Sequence, residues 1–392
     1  MKRRLDGLAV FRELLKDGAV AAFRELLQDC CRNDADNFVS HCGEFESLLF
    51  QQSDCWTAYL RRAVMESENV CIRNWASGTV TAVQEECLDR ELAFLDRLSQ
   101  VTLDDLTAGL DNAPAFLVSW RTEGGSIAQD YRQRMQEVGE KGYGIFARYH
   151  MFTVENGQLA PVKHPDPQQL EQLPGYEQER QKVIANTQAL LDGKPANNVL
   201  LYGDAGTGKS SAIKAIANNF AAQGLRLVEV KKNQLYQIPD LMDALDANRL
   251  KFILFIDDLS FTSNDDNFAA LKAILEGSVG GRAQNIAVYA TSNRRHLIKE
   301  TMTDRSGDDI HESDTRQELM SLSARFGLTV TFASPDRDRY LYIVGELAKQ
   351  YGVDLDEHTL AVRSEAFAIR MGGRSARVAK QFIELCKSGV QV

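Results

Sequence analysis

At 392 residues the chain is too long for one compact core, and two or three domains are expected. With 44% hydrophobic and 26% charged residues, the composition excludes disorder as the main theme. A formal charge of -10 excludes a broadly basic surface that wraps nucleic acid, although a local basic groove stays open.

No apolar run approaches the roughly 20 residues that span a bilayer. The opening MKRRLDGLAVFRELL is broken by Asp6, Arg12 and Glu13 where a signal peptide needs an unbroken apolar stretch. A cytoplasmic location with no membrane partner is therefore expected. Six of the seven cysteines (Cys30, Cys31, Cys42, Cys55, Cys71 and Cys87) fall in the first quarter without CxxC pairing, and the seventh is Cys386. Reduced thiols on helices are the expectation, and a zinc site using His41 and Cys42 is the weaker alternative.

From Leu5 to about Leu110 apolar residues recur three and four apart with charges between them, as in VAAFRELLQDCC and ECLDRELAFLDRL. That period predicts amphipathic helices in a bundle or array. FRELLKD at Phe11 and FRELLQD at Phe23 are too closely spaced to be a solenoid repeat, and chance similarity of two helices accounts for them. Residues 111–150 give no single pattern. MFTVENGQLAPV then reads as two short strands around Asn156-Gly157, and the proline-rich HPDPQQLEQLPG marks a linker.

Beyond the linker the strand-like runs NVLLYG, RLVEV, FILFID, IAVYATS and LTVTF alternate with helix-like runs after Lys209, Ile238, Asn267 and Arg294. This alternation predicts a parallel sheet covered by helices. From Asp336 to Gln391 only helical periods remain. The expected organisation is a mainly helical N-terminal domain (1–150) for partner recognition or assembly, a linker (151–170), an α/β nucleotide-binding subdomain (171–334) and a helical lid (335–392).

LLYGDAGTGKSS matches GxxxxGK[ST] through Gly203, Asp204, Ala205, Gly206, Thr207, Gly208, Lys209 and Ser210, with Ser211 following. A strand precedes it and a helix follows, as the motif requires. Glycines let backbone N–H groups turn inward around phosphates, and the helix N-terminus adds partial positive charge. Lys209 is expected to reach the β- and γ-phosphates, and Ser210 to offer its hydroxyl to Mg²⁺.

In FILFIDDLSF an apolar strand delivers Asp257 and Asp258. Asp257 is the candidate Mg²⁺ ligand at the strand end, with a simple turn cap as the alternative. Asp258 is a candidate base or orienting group for an attacking water, against a solvated turn residue. The strand IAVYATS runs into Asn293, whose amide can both donate to and accept from a water near Asp258; a helix cap by Ser292 or Asn293 is the plainer reading.

These motifs in this order resemble the AAA+ ATPase core, a P-loop NTPase sheet with a helical lid. ANNVLLYGDAGTGKSS, LFIDDLSF, YATSNRRHL, SLSARFGL and the lead-in GYEQERQKVIANTQALLDGKPANN resemble more closely the bacterial AAA+ branch catalogued as domain of unknown function 815. The resemblance covers about Leu170 to Ile383. It implies Lys209 and Ser210 as the Walker A pair, Asp257 as the Walker B metal ligand, Asn293 as sensor 1 and Arg325 as the arginine finger offered to a neighbour. Arg377 would be the sensor 2 arginine of the lid, with Arg374 as its rival, and Leu173, Gly175 and Tyr176 would border the adenine.

One departure stands out. Most AAA+ members have Asp-Glu where this chain has Asp257-Asp258. The shorter side chain falls about 1.5 Å short, and a misplacement of about 1 Å can cost ~10²-fold in rate. The 815 branch resembles this chain in using Asp-Asp, which implies slow but real hydrolysis.

The resemblance thus implies an ATP hydrolase using ATP and Mg²⁺, assembled as a homo-oligomeric ring, a hexamer, that remodels or loads a protein or nucleic-acid client. No small-molecule substrate other than nucleotide is expected. The alternative is an ATP-binding switch or scaffold with negligible hydrolysis, and a small-molecule kinase ranks third. The loop KKNQLYQIPD from Lys231 could face a central pore or simply be solvated, and RRHLIK from Arg294 is equally open.

Overall fold

The computed structural model describes residues 1–111, 116–246, 248–260, 267–276, 283–293 and 325–390. They form two compact units, residues 1–148 with 248–249, and residues 149–246 with 250–390.

The first unit is helical. Its longer helices span Gly18–Arg32, Ala35–Phe50, Trp56–Glu66, Ala82–Ser99 and Ile127–Gln136. Asp17, Asp34, Thr81 and Ser126 each accept a backbone N–H in the first turn of the helix they precede, which is why these helices start where they do. The apolar stripes meet around Phe23, Phe45, Trp56 and Trp120. Phe23 stacks on Trp56 at 4.6 Å between centroids, and Phe45 meets Trp120 edge-on at 4.9 Å. Such pairs add about 0.5–1.5 kcal/mol each beyond burial. Both indoles spend their N–H on backbone carbonyls, of Leu98 and Val101 respectively. The two FRELL copies fold differently, Arg12–Lys16 as a 3-10 turn and the copy at Phe23 within an α-helix. Residues 111–150, which had no readable period, supply Ile127–Gln136 and two one-turn helices, Val138–Lys141 and Ile145–Arg148. His41 Nδ1 lies 2.6 Å from Asp29 Oδ2, and the Cys42 thiol donates to Glu46. No cluster of three or more metal-ligating side chains occurs among the described residues.

The second unit runs β1 (Met151–Glu155), β2 (Gln158–Pro161), α1 (Glu177–Leu191), β3 (Val199–Gly203), α2 (Lys209–Phe220), β4 (Leu225–Glu229), α3 (Ile238–Asp246), β5 (Lys251–Ile256), α4 (Asn267–Glu276), β6 (Ile286–Ser292) and β7 (Leu328–Phe332). Three helices follow, α5 (Arg337–Tyr351), α6 (Glu357–Arg370) and α7 (Ala376–Lys387). The strands form one sheet in the order β2-β1-β4-β5-β6-β3-β7, parallel except for the β1–β2 hairpin. This is the α/β sheet with a helical lid that the motifs imply. The strand runs are continuously apolar because helices cover both faces: Phe252 to Ile256 and all of β6 are buried.

The hairpin turns at Asn156 and Gly157, both at positive φ (51° and 78°). One expectation is corrected here. Residues 151–161 do not belong to a linker, because β1 pairs in parallel with β4, Phe152 opposite Val228, and extends the sheet. The backbone N–H and C=O groups of that stretch are spent on the ladder, so it cannot act as a free tether.

The helical segment packs on the sheet unit through Gly175 and Tyr176. A Cβ at Gly175 would sit 2.8 Å from Ile343 of α5. The Arg339 guanidinium lies 4.8 Å over the Tyr176 ring and pairs with Glu179 at 3.1 Å. The Tyr176 hydroxyl donates to the Ala333 carbonyl at 2.6 Å. The run from Arg294, including RRHLIK, and the first four residues of SLSARFGL, Ser321 to Ala324, lie outside the described residues. Among the described residues no helix is long and apolar enough to cross a membrane.

Candidate functional site

β3 lies between β6 and β7, and the loop Asp204 to Gly208 leaves its C-terminal end, the edge where parallel α/β sheets hold ligands. Gly203 needs to be glycine: φ is 141°, and an added Cβ would lie 2.0 Å from the Phe332 carbonyl oxygen of β7. Gly206 has φ 79°, and a Cβ there would press on Ser375 and Arg377 at 3.0 and 3.2 Å. The Arg377 N–H donates to the Gly206 carbonyl at 3.0 Å, tying the start of α7 to the loop. Asp204 accepts from the Ser334 N–H (2.9 Å) and hydroxyl (2.7 Å). Those bonds hold its carboxyl below the usual carboxylate range.

Lys209 opens α2 and is only 5% exposed. Its ammonium donates to the Gly203 carbonyl (2.8 Å), the Asp204 carbonyl (2.7 Å) and Asn293 Oδ1 (3.1 Å). Burial pushes its pKa down from the ordinary lysine value, against the opposing pull of Asp204, Asp258 and Asp257. Ser210 donates to Asp257 Oδ1 at 2.6 Å. Thr291 Oγ1 donates to the same oxygen at 2.5 Å, so β5, β6 and α2 converge on one carboxylate. Asn293 donates from Nδ2 to Asp258 Oδ1 at 2.7 Å. Lys209, Asn293 and Asp258 thus form one hydrogen-bonded chain.

These residues line a cavity of about 580 Å³. Its far wall is more apolar, with Leu173, Pro174, Tyr176, Ile343 and Leu347, and Arg377 and Lys380 reach it from α7. Arg180, largely buried, is part of the same lining and donates to the Leu173 (2.5 Å) and Gly175 carbonyls. It fixes the segment that carries Tyr176 in its left-handed conformation, φ 62°.

The sequence-predicted residues Gly206 to Ser211, Ala205, Asp257, Asp258, Asn293 and Arg377 all line this one cavity. Arg374 does not. It forms a bidentate pair with Glu365 of α6, at 2.6 and 2.9 Å, which holds the Glu365 carboxyl low. Arg325 does not line it either, since it precedes β7 at the end of the sheet opposite the loop. Tyr236 is 67% exposed on the 3-10 turn Lys232–Gln237 that follows β4.

Four contributors escaped sequence reasoning. Thr291 was visible only as one polar residue at a strand end. Ser334, Arg180 and Arg339 carried one weak signal each, such as a charged residue at a position the α1 period buries for Arg180.

The loop fits a phosphate chain, because its glycines hold backbone conformations a Cβ would block and a buried ammonium adjoins it. The Ser210 hydroxyl and Asp257 carboxylate, both facing the cavity, are hard oxygen donors suited to Mg²⁺.

No curated protein matches the chain. Among solved structures, a point variant of Thermotoga maritima RuvB aligns at 18% identity with a TM-score of 0.39, over 57% of this chain and 66% of that one. The chain therefore spans slightly less than two thirds of that relative. Residues 146–390 match the family described as Protein of unknown function (DUF815), well over half of the chain, and the chain belongs to that family.

Proposed function

We propose that the chain is a Mg-ATP hydrolase of the AAA+ kind. It works as a homo-oligomeric ring, a hexamer, whose nucleotide cycle remodels or loads a protein or nucleic-acid client. The observation that carries this reading is the convergence of Lys209, Ser210, Asp257, Asp258 and Asn293 on one cavity beneath a helical lid. Lys209 would bind the β- and γ-phosphates, and Ser210 and Asp257 would hold the metal. Bound there, Mg²⁺ would neutralise charge on the phosphate oxygens. Asp258 would take a proton from, or orient, the attacking water, and Asn293 would align that water with the γ-phosphate. Arg377 would draw the lid onto the nucleotide, and Arg325 would serve a neighbouring subunit's site. The first unit is the candidate client-recognition module.

The test is phosphate release over a wide range of protein concentration, beside Asp258→Asn. Turnover that rises with concentration and disappears in the variant is the expected result. A second reading, an ATP-binding switch with negligible hydrolysis, draws support from the engagement of the Asp258 carboxylate by Asn293. Tight ATP binding with no turnover at any concentration would favour it.

A further inference from the structure

Asp258 is one of four non-glycine residues at positive φ among the described residues, with φ 50°. Left-handed backbone is uncommon for L-residues and is tolerated best by Asn and Asp. Asp257 Oδ1 accepts from the Asp258 N–H at 3.1 Å, and the rest of the hold comes from Thr291. Its hydroxyl donates to Asp257 Oδ1 and accepts from the Asp258 N–H at 2.9 Å, and its carbonyl accepts from the Leu259 N–H at 2.7 Å. One residue of β6, 1% exposed, therefore grips three consecutive residues leaving β5. The register explains why it can: Ile256 lies opposite Ala290, so the next pair along is Asp257 and Thr291. Through this turn the short Asp258 carboxylate already meets Asn293 at 2.7 Å.

We propose that Thr291 is a positioning residue that locks a left-handed turn at Asp258. The turn is built for aspartate and takes over the reach that a glutamate would supply by its extra methylene. The inference rests on the ATPase reading and adds that the Asp-Asp pair is a fitted solution rather than a weakened Asp-Glu pair. A glutamate at 258 would meet less tolerant backbone and carry its carboxylate past Asn293.

The test uses the full-length chain as wild type, Thr291→Val, Thr291→Ser and Asp258→Glu. Three quantities are read: phosphate release, affinity for a fluorescent ATP analogue with and without Mg²⁺, and nucleotide-free melting temperature. Valine keeps the shape and strand preference of threonine but loses the hydroxyl. Thr291→Val should keep its Mg²⁺-free affinity within about twofold, lose much of the gain in affinity that Mg²⁺ gives, and turn over roughly tenfold slower or worse. Thr291→Ser should recover most of both. Asp258→Glu should turn over more slowly than wild type and melt lower without nucleotide.

Wild-type turnover and Mg²⁺ response in Thr291→Val, or turnover in Asp258→Glu above wild type, would overturn the proposal. Should the valine variant fail to fold, Asp258→Glu decides alone. A wild type that binds ATP and releases no phosphate counts against the hydrolase reading, and the Mg²⁺ response and melting temperatures still decide the role of Thr291.

Discussion

Asn293 holds Asp258: the amide nitrogen donates to Asp258 Oδ1 at 2.7 Å while the amide oxygen accepts from Lys209 at 3.1 Å. The two bonds fix which way the amide faces, since only the oxygen can accept from an ammonium. One side chain thereby touches both the lysine proposed to bind the phosphates and the carboxylate proposed to act on water. Asn293→Ala should leave ATP affinity within a few-fold and lower turnover by about 10²-fold, the scale of a lost orienting group in such chemistry. Steady-state phosphate release beside equilibrium binding checks this. Faster turnover in the variant would instead mean that the amide restrains Asp258, as the switch reading requires.

The two lid arginines separate by what they touch. Arg374 is spent on Glu365, whereas Arg377 faces the cavity and its N–H ties α7 to Gly206. Arg374→Ala should lower the melting temperature and leave the affinity for ATP near wild type. Arg377→Ala should do the opposite, with stability kept and affinity or turnover reduced about tenfold, the worth of one charge-assisted phosphate contact. Differential scanning fluorimetry and nucleotide titration on both variants check the assignment, and a reversed pattern would exchange their roles.

In the first unit the His41 ring and the buried Asp29 carboxylate lie 2.6 Å apart, and that hydrogen bond raises the His41 pKa above its ordinary 6.5. A group whose folded-state pKa is raised contributes stability that is fully present below its unfolded value. The contribution is lost as pH rises through the folded value. The chain should therefore lose a stabilising increment as pH rises from the ordinary histidine value through the raised one. His41→Gln should abolish that dependence, so the melting-temperature gap between wild type and variant should shrink with rising pH. A gap that is constant or widens with pH would show that this pair does not titrate in the window.

How much of this was legible in sequence depends on how local each signal is. The Asn156-Gly157 turn, the Gly203 to Ser210 loop and the apolar strand ending in Asp257 are written in consecutive residues, and the structure places them as read. Thr291 is different: its role exists only because the register sets β6 beside β5, and nothing in ATSN announces that partner. Arg180 and Arg374 are both cations near a helix start in sequence, yet one is buried against two carbonyls and the other, in the connection before α7, is paired with Glu365 of α6. Residues 111–150 lacked a period because they form short helices, Ile127–Gln136 being the longest, too brief for a 3.6-residue repeat to establish itself.

Arg325 tests assembly. It stands three residues before β7, while the phosphate loop adjoins the other end of that strand, where Gly203 pairs with Phe332. Five strand residues span roughly 16 Å, more than an arginine side chain can bridge, so a finger role requires a second copy. Lys209→Ala subunits should bind no ATP but still present Arg325, and Arg325→Ala subunits should bind ATP but lack the finger. Each should be inactive alone, since a missing finger costs about 10³–10⁵ in rate in related phosphoryl transfer. Mixing them should restore a measurable fraction of wild-type phosphate release, because an intact phosphate loop then meets an intact arginine across the interface. An inactive mixture, shown by sizing to contain co-assembled subunits, would remove Arg325 from the site and leave the proposed ring without this contribution from a neighbour.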